Sequence, residues 1–298
     1  MIEKSLKYRF IEFVFKSIGK LSHKNRLRLG AGLSWLFPKL AKRRTHIVRT
    51  NLRLCFPEVD DVQLETWVKR NIRLTTQSFI DRGVLWYGST QKIHEIAQLK
   101  GFENLQTLLD TQESIIILAP HFIGLDTAAT ALSIRLKEAC TMYKSQRDPS
   151  MDDIIRKGRG RFNKIHLLSR KDGFRGLVRF LKKGIPLYYL PDMDFGRNES
   201  IFVPFFNIQA ATLPSTAQIA KMFNAKVTPI VTYLDIDTGI YHIEQLPALE
   251  NFPGEDSIEE ATARVNRLLE EWIRKDPAQY YWVHRRFKTR PEGEAGFY

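Results

Sequence analysis

At 298 residues the chain is long enough for one large domain or two small ones, and 43% hydrophobic residues exclude a disordered polypeptide. Its formal charge of +13 sits mostly in residues 1–50, where thirteen Lys or Arg meet only Glu3 and Glu12, leaving about +2 for the rest. The two cysteines, Cys55 and Cys140, are far apart and match no metal or redox spacing, which points to a reducing, cytosol-facing compartment.

The basic start interleaves its cations with bulky apolar residues. Phe10, Ile11, Val14, Phe15 and Ile18 share a helical face, and Leu33, Trp35, Leu36 and Phe37 follow. Charged residues interrupt every apolar run before the ~18–20 residues that span a bilayer, and no cleavable signal pattern is present. The segment therefore reads as residues 1–40 forming a basic amphipathic piece suited to an anionic membrane interface, or as a helix packing on the body of the protein. No helix-turn-helix, zinc-finger or RNA-recognition signature accompanies the charge, so nucleic acid is not an expected partner.

Residues up to about 100 read as helical. Asp60 or Asp61 caps a helix carrying Leu64, Val68, Ile72, Phe79 and Trp86 toward a core. From about residue 101 strands and helices alternate. Strands are predicted over 114–119, 138–143, 164–169, 186–190, 225–234 and 240–246. Helices are predicted over 124–137, 150–160, 174–183, 214–224 and 257–275, the last opening with the capping box Ser257-x-x-Glu260. This pattern predicts an α/β fold, a central, mostly parallel or mixed sheet flanked by helices, as a single domain over 41–298 behind the helical N-terminal region.

Within "IIILAPHFIGLD" the uniformly apolar Ile115–Leu118 predicts a central strand buried on both faces, ended by Pro120. His121 then falls beyond a strand's carboxyl end, where open α/β sheets place their sites, and Gly124 permits a tight turn into the next helix. Five positions on a continuous helix are about 500° of rotation, roughly 140° apart, so His121 and Asp126 meet only if His121 precedes the helix and Asp126 lies in its first turn. A carboxylate on one ring nitrogen would leave the other to take a proton. That is a general base without a nucleophile of its own, so a substrate hydroxyl would supply one. A histidine capping a helix beside a solvent-facing aspartate leaves the same trace.

His-x4-Asp/Glu behind a hydrophobic strand resembles the glycerolipid and lysophospholipid acyltransferases. The blocks "RRTHIVRTNLRLCFPE" (43–58), "APHFIGLD" (119–126), "KGRGRFNKIHLLSR" (157–170), "YLPDMDFGRNESIFVPFF" (189–206) and "YYWVHRRFKTRPEGEAGFY" (280–298) resemble, in order, the late or secondary acyltransferases of lipid A biosynthesis. The resemblance implies transfer of a fatty acyl chain from acyl-acyl carrier protein to a hydroxyl on a 3-hydroxyacyl chain of a Kdo-bearing lipid A precursor, an anionic glycolipid. It places the reaction at the cytoplasmic face of the inner membrane, with peripheral or monotopic attachment. It also implies His121 as general base, Asp126 as its orienting group where several members carry Glu, and no cofactor. Acylation of another glycolipid and a non-catalytic membrane-surface protein are the alternatives.

The run Arg156, Lys157, Arg159, Arg161, Lys164, Arg170, Lys171 and Arg175, against Asp172 alone, is either a solvated face or a surface for phosphates, carboxylates and an acidic carrier. Within the family block "GRGR", Arg159 is assigned to the catalytic site and Arg161 to substrate binding, while Lys164, Arg170 and Lys171 steer encounter. In "PDMDFGR", Asp192, Asp194 and Arg197 lie at another strand's carboxyl end and are assigned to substrate binding. An extended chain points the two aspartates to opposite faces and no His or Cys accompanies them, so no metal is expected. The histidines at 23, 46, 94, 166, 242 and 284 are read as structural or exposed. Walker A, GxGxxG, HExxH and GxSxG patterns are missing, which excludes the nucleotide, zinc-protease and lipase readings that require them.

Overall fold

The structure is a computed structural model that describes residues 5–169 and 173–298. Its centre is a sheet built from β1 (Ala97–Lys100), β2 (Ile115–Leu118), β3 (Glu138–Tyr143), β4 (Lys164–Ser169), β5 (Leu187–Tyr189), β8 (Lys226–Asp235) and β9 (Ile240–Gln245), in the order β1-β9-β8-β2-β5-β3-β4. Every neighbouring pair is parallel except β8 and β9, so the sheet is mixed but mostly parallel. A separate antiparallel hairpin joins β6 (Ile201–Phe205) to β7 (Ile208–Thr212).

Four residues of β2 are fully buried because successive side chains enter opposite cores. Ile116 and Leu118 join one hydrophobic cluster with Cys140, Leu187 and Tyr189, while Ile115 and Ile117 join another with Leu132, Leu136 and Tyr188. Helices supply the cover: α6 (Phe102–Asp110), α7 (Leu125–Arg135), α8 (Pro149–Arg159), α9 (Gly173–Leu181), α10 (Ser215–Phe223) and α11 (Ile258–Lys275), this last with its Ser257–Glu260 capping box formed. Both cysteines are buried and unpaired.

Residues 6–96 are mostly helical, as α1 (Leu6–Lys20), α2 (His23–Leu40), α3 (Lys42–Cys55), α4 (Asp61–Tyr87) and α5 (Thr90–Ile96). Asp60 caps the long α4 by accepting from the Gln63 amide. Both α1 and α2 pack on α4, and glycines set the distance. A Cβ on Gly83 would meet Ile18 Cγ2 at 2.6 Å, and one on Gly19 would meet the Gly83 carbonyl oxygen at 2.5 Å. A buried ion pair fastens α2 in place: Arg26 Nε donates to Asp81 at 3.1 Å, and Gln77 and Tyr241 donate to the same carboxylate.

The face α1 buries carries Tyr8 and Phe15, whereas Phe10 and Phe13 stay 68% and 66% exposed. Trp35 on α2 is 68% exposed, with Leu6, Leu33, Leu36 and Leu40 also open to solvent. Phe79, expected in the core, is 46% exposed on α4. Among the described residues no helix is long and apolar enough to cross a membrane.

Candidate active site

The register of two parallel strands brings His121 and Asp192 together. Leu118 of β2 stands beside Tyr189 of β5, so the third residue beyond each, His121 and Asp192, emerges at the same level from the carboxyl edge. Asp192 accepts from His121 twice: the backbone amide bonds Oδ2 at 2.8 Å and Nδ1 lies 2.7 Å from Oδ1. The Tyr280 hydroxyl donates to Oδ2 at 2.8 Å. The carboxylate is only 1% exposed. Burial pushes its pKa up, but the His121 charge and the hydrogen bonds from His121 and Tyr280 prevail and hold it down at about 2. An ionised carboxylate on Nδ1 fixes the proton there and leaves Nε2 as the basic nitrogen.

The carboxylate bonded to His121 is thus that of Asp192, and no bond joins His121 to Asp126 among the described residues. Asp126 does lie in the first turn of α7, but it is buried between two arginines from other helices. Arg159 at the end of α8 places Nε 2.9 Å and Nη2 2.7 Å from Oδ1, and Arg82 of α4 places Nη2 2.9 Å from Oδ2. Burial raises the Asp126 pKa, yet Arg159 and then Arg82 outweigh it, so the carboxyl lies below the ordinary aspartate value. Arg82 also stacks over Phe79 at 4.0 Å.

Between the two aspartates the turn is sewn to the C-terminal segment. Ile123 N donates to Gln279 O at 2.8 Å and Tyr281 N to His121 O at 2.9 Å. Asn71 of α4 bonds the Ala278 and Tyr280 carbonyls, both at 2.7 Å, and Asn51 of α3 bonds those of Trp282 and His284. Gly124 has an ordinary backbone, with φ −82°. It is small because the turn presses on the sheet, where a Cβ would meet Thr232 Cγ2 at 2.3 Å.

Three residues assigned to substrate binding are occupied otherwise. Arg161 donates to the Leu85 and Gly88 carbonyls at 3.1 and 2.6 Å, satisfying the end of α4. Asp194 lines the cavity, but its carboxylate accepts from Gly196 N, Thr289 N and the Thr289 hydroxyl at 2.7–2.9 Å. Arg197 donates to the Arg290 carbonyl and lies over Phe202. Arg286 is buried and bonds Ala211 O and Thr212 Oγ1 at 2.8 Å. Of the basic run, Arg170, Lys171, Asp172 and the side chain of Arg175 lie outside the described residues.

Sequence reasoning missed Arg82, Tyr280 and His284. His284 lines the same cavity, and its Nε2 accepts from the Asp194 amide at 3.0 Å. Tyr280 and His284 stood inside the quoted C-terminal block; for Arg82 nothing local signalled the contact, since Asp126 is 44 positions away.

His121, Asp126, Arg159 and Arg82 all face one cavity of about 1080 Å³. That is just above the ~300–1,000 Å³ typical of small-molecule sites. Toward α7, β3 and β4 its wall is apolar, with Leu132, Leu136, Ala139 and Leu167. Polar Asn198, Ser200, Ser215 and Gln218 also line it, beside Met193, Ile201 and Leu213. Among the described residues no cluster of His, Cys, Asp or Glu could hold a metal ion.

The cavity thus joins a strand-end histidine, bonded to a buried carboxylate, with a lining of both apolar and polar side chains. The chain belongs to the bacterial lipid A biosynthesis acyltransferases, whose family model matches residues 5–289. It is 35% identical over 267 residues to a lipid A biosynthesis lauroyltransferase of Escherichia coli K12, covering 89% of this chain and 86% of that one. Over 271 residues it is 29% identical to the lipid A biosynthesis palmitoleoyltransferase of the same strain, covering 91% and 87%. A lipid A biosynthesis acyltransferase of Haemophilus influenzae is 31% identical over 283 residues, covering 94% and 89%. The protein is therefore a late lipid A acyltransferase.

Proposed function

We propose that the enzyme moves a fatty acyl chain from acyl-acyl carrier protein to a hydroxyl on a 3-hydroxyacyl chain of a Kdo-bearing lipid A precursor, with His121 as general base. The observation that carries this reading is the bond between His121 Nδ1 and the buried Asp192, which leaves Nε2 as the proton acceptor in a cavity with an apolar wall. As the acceptor O–H gives its proton to Nε2, the oxygen bonds the thioester carbon. The tetrahedral intermediate collapses, the C–S bond breaks, and the thiolate takes the proton from Nε2. Asp192 stays ionised throughout and stabilises the imidazolium. Because the acceptor is the nucleophile, no acyl-enzyme is needed.

In this reading Arg159 and Asp126 form a fixed electrostatic wall for the site. The two arginines exceed the one carboxylate by a unit of positive charge, which suits an anionic substrate. Exposed Phe10, Phe13, Trp35 and Leu40 among the cations of α1 and α2 suit attachment to an anionic membrane, at the cytoplasmic face of the inner membrane. Phe79 of α4, the helix on which α1 and α2 pack, lines the cavity and is exposed, which supports this reading.

The test is incubation with acyl-acyl carrier protein and a tetra-acylated, Kdo-bearing precursor, followed by product mass and free carrier thiol. Wild type should add one acyl group per thiol released, and His121→Ala should lose at least about a thousandfold of that rate. Equal product from both proteins would remove His121 as the base. Turnover of other glycolipids but not this precursor would overturn the acceptor.

A further inference from the structure

An oxygen that gains negative charge during acyl transfer needs a hydrogen-bond donor aimed at it. Backbone amides commonly supply one, but here those of His121 and the two residues after it are taken. His121 N bonds Asp192, Phe122 N bonds Pro120 O, Ile123 N bonds Gln279 O, and Leu125 N bonds Phe122 O. Arg159 spends both Nε and Nη2 on Asp126. The cavity wall holds a further candidate donor.

His284 fits the need. A backbone amide can only donate, so the bond from Asp194 N to Nε2 makes Nε2 the acceptor and leaves the ring proton on Nδ1. Among the described residues Nδ1 has no partner, yet it is not sealed inside protein, and the ring lines the cavity that holds His121. The ring is also held still: Asn51 bonds the His284 carbonyl at 2.7 Å, and Asn51 in turn accepts from the Tyr298 hydroxyl. Burial, with the nearby charges of His121 and Arg286, opposes its protonation more strongly than Asp194 and Asp192 favour it. A neutral donor does not repel the imidazolium that His121 becomes.

We propose that His284 is a second catalytic residue, whose Nδ1–H hydrogen-bonds the carbonyl oxygen of the acyl thioester as that oxygen becomes an oxyanion. The inference rests on the reaction given under Proposed function. When the acceptor oxygen adds to the carbonyl carbon, the π pair moves onto the carbonyl oxygen facing His284. No proton leaves Nδ1, and the pair returns as the C–S bond breaks.

Single-turnover acyl transfer from acyl-acyl carrier protein to the tetra-acylated precursor, together with ¹⁵N NMR of histidine-labelled wild type, tests this. His284→Ala should lower kcat by about 10²–10³ with KM within about threefold of wild type. His284→Asn, whose side-chain N–H₂ occupies the place of Nδ1–H, should regain about tenfold. NMR should show His284 neutral, with its proton on Nδ1, from pH 5 to 8. A kcat for His284→Ala within about threefold of wild type overturns the proposal, as does a proton on Nε2 or a charged ring at pH 7. If His284→Ala fails to fold, the wild-type spectrum and the Asn variant decide. An inactive His121→Ala beside a fully active His284→Ala sinks this inference alone; full activity in both sinks the reaction on which it rests.

Discussion

Tyr280 reaches the far oxygen of Asp192 with a buried hydroxyl, so Tyr280→Phe removes a donor while keeping the ring's packing on Phe122 and Trp282. A buried acceptor left short of a partner costs about 1–3 kcal/mol. Part of that loosens the His121 ring, so kcat should fall about tenfold with KM unchanged; a KM effect with normal kcat would contradict the positioning role. His284 offers a second residue-scale prediction, in stability. Its folded pKa lies at about 4, below the ordinary 6.5, so the folded state binds fewer protons than the unfolded one between those values. Stability is full above pH 6.5 and falls as pH drops toward 4, by roughly 2–3 kcal/mol from this group. Urea unfolding from pH 7.5 to 4 should show that slope in wild type and a shallower one in His284→Asn. At this scale His121 was legible because it follows a strand and a proline. Asp192 was visible as a strand-end carboxylate, but not as its partner: the sequence does not tell that β2 and β5 are neighbours, and the nearer Asp126 stood in its place.

Elements carry residues whose importance lies away from chemistry. Arg161 closes the end of α4, so Arg161→Ala should lower unfolding free energy by about 1–3 kcal/mol while leaving kcat and KM at wild-type values. A rise in KM for the lipid would return Arg161 to the substrate. Gly83→Ala should also destabilise, by about 1–3 kcal/mol, since its methyl would strike Ile18 and the Phe15 carbonyl; unchanged denaturant midpoints would deny the close approach of α1. The six strand predictions and five helix predictions agree with the structure to within a few residues, because their apolar runs are bounded by caps, glycines or prolines. Three strands escaped. β1 is four residues long and mixed in polarity, and β6 and β7 are a hairpin whose first strand contains Pro204. Phe79 sat at core spacing on α4, yet α4 leaves that side open.

Across the whole molecule the N-terminal helices do two things with two faces. Phe15 and Arg26 fasten them to α4 and Tyr8 meets Lys157 of α8, while Phe10, Phe13, Trp35 and Leu40 stay outside. A triple change, Phe10→Ser, Phe13→Ser and Trp35→Ser, should weaken partition onto anionic liposomes with little loss of folding stability, and added salt should weaken it further. Undiminished partition would refute the interfacial role. The amphipathic character of this segment was readable from composition, but which aromatics face outward was fixed by where α4 lies. The proposed chemistry needs His121 as base and Asp192 to hold its proton on Nδ1. Single-turnover acyl transfer by Asp192→Asn, from acyl-acyl carrier protein to the tetra-acylated precursor, tests it most directly. The account predicts a rate lower by about 10²–10⁴ with lipid binding retained, as loss of an orienting carboxylate costs a histidine base elsewhere; a rate within about threefold of wild type would contradict it.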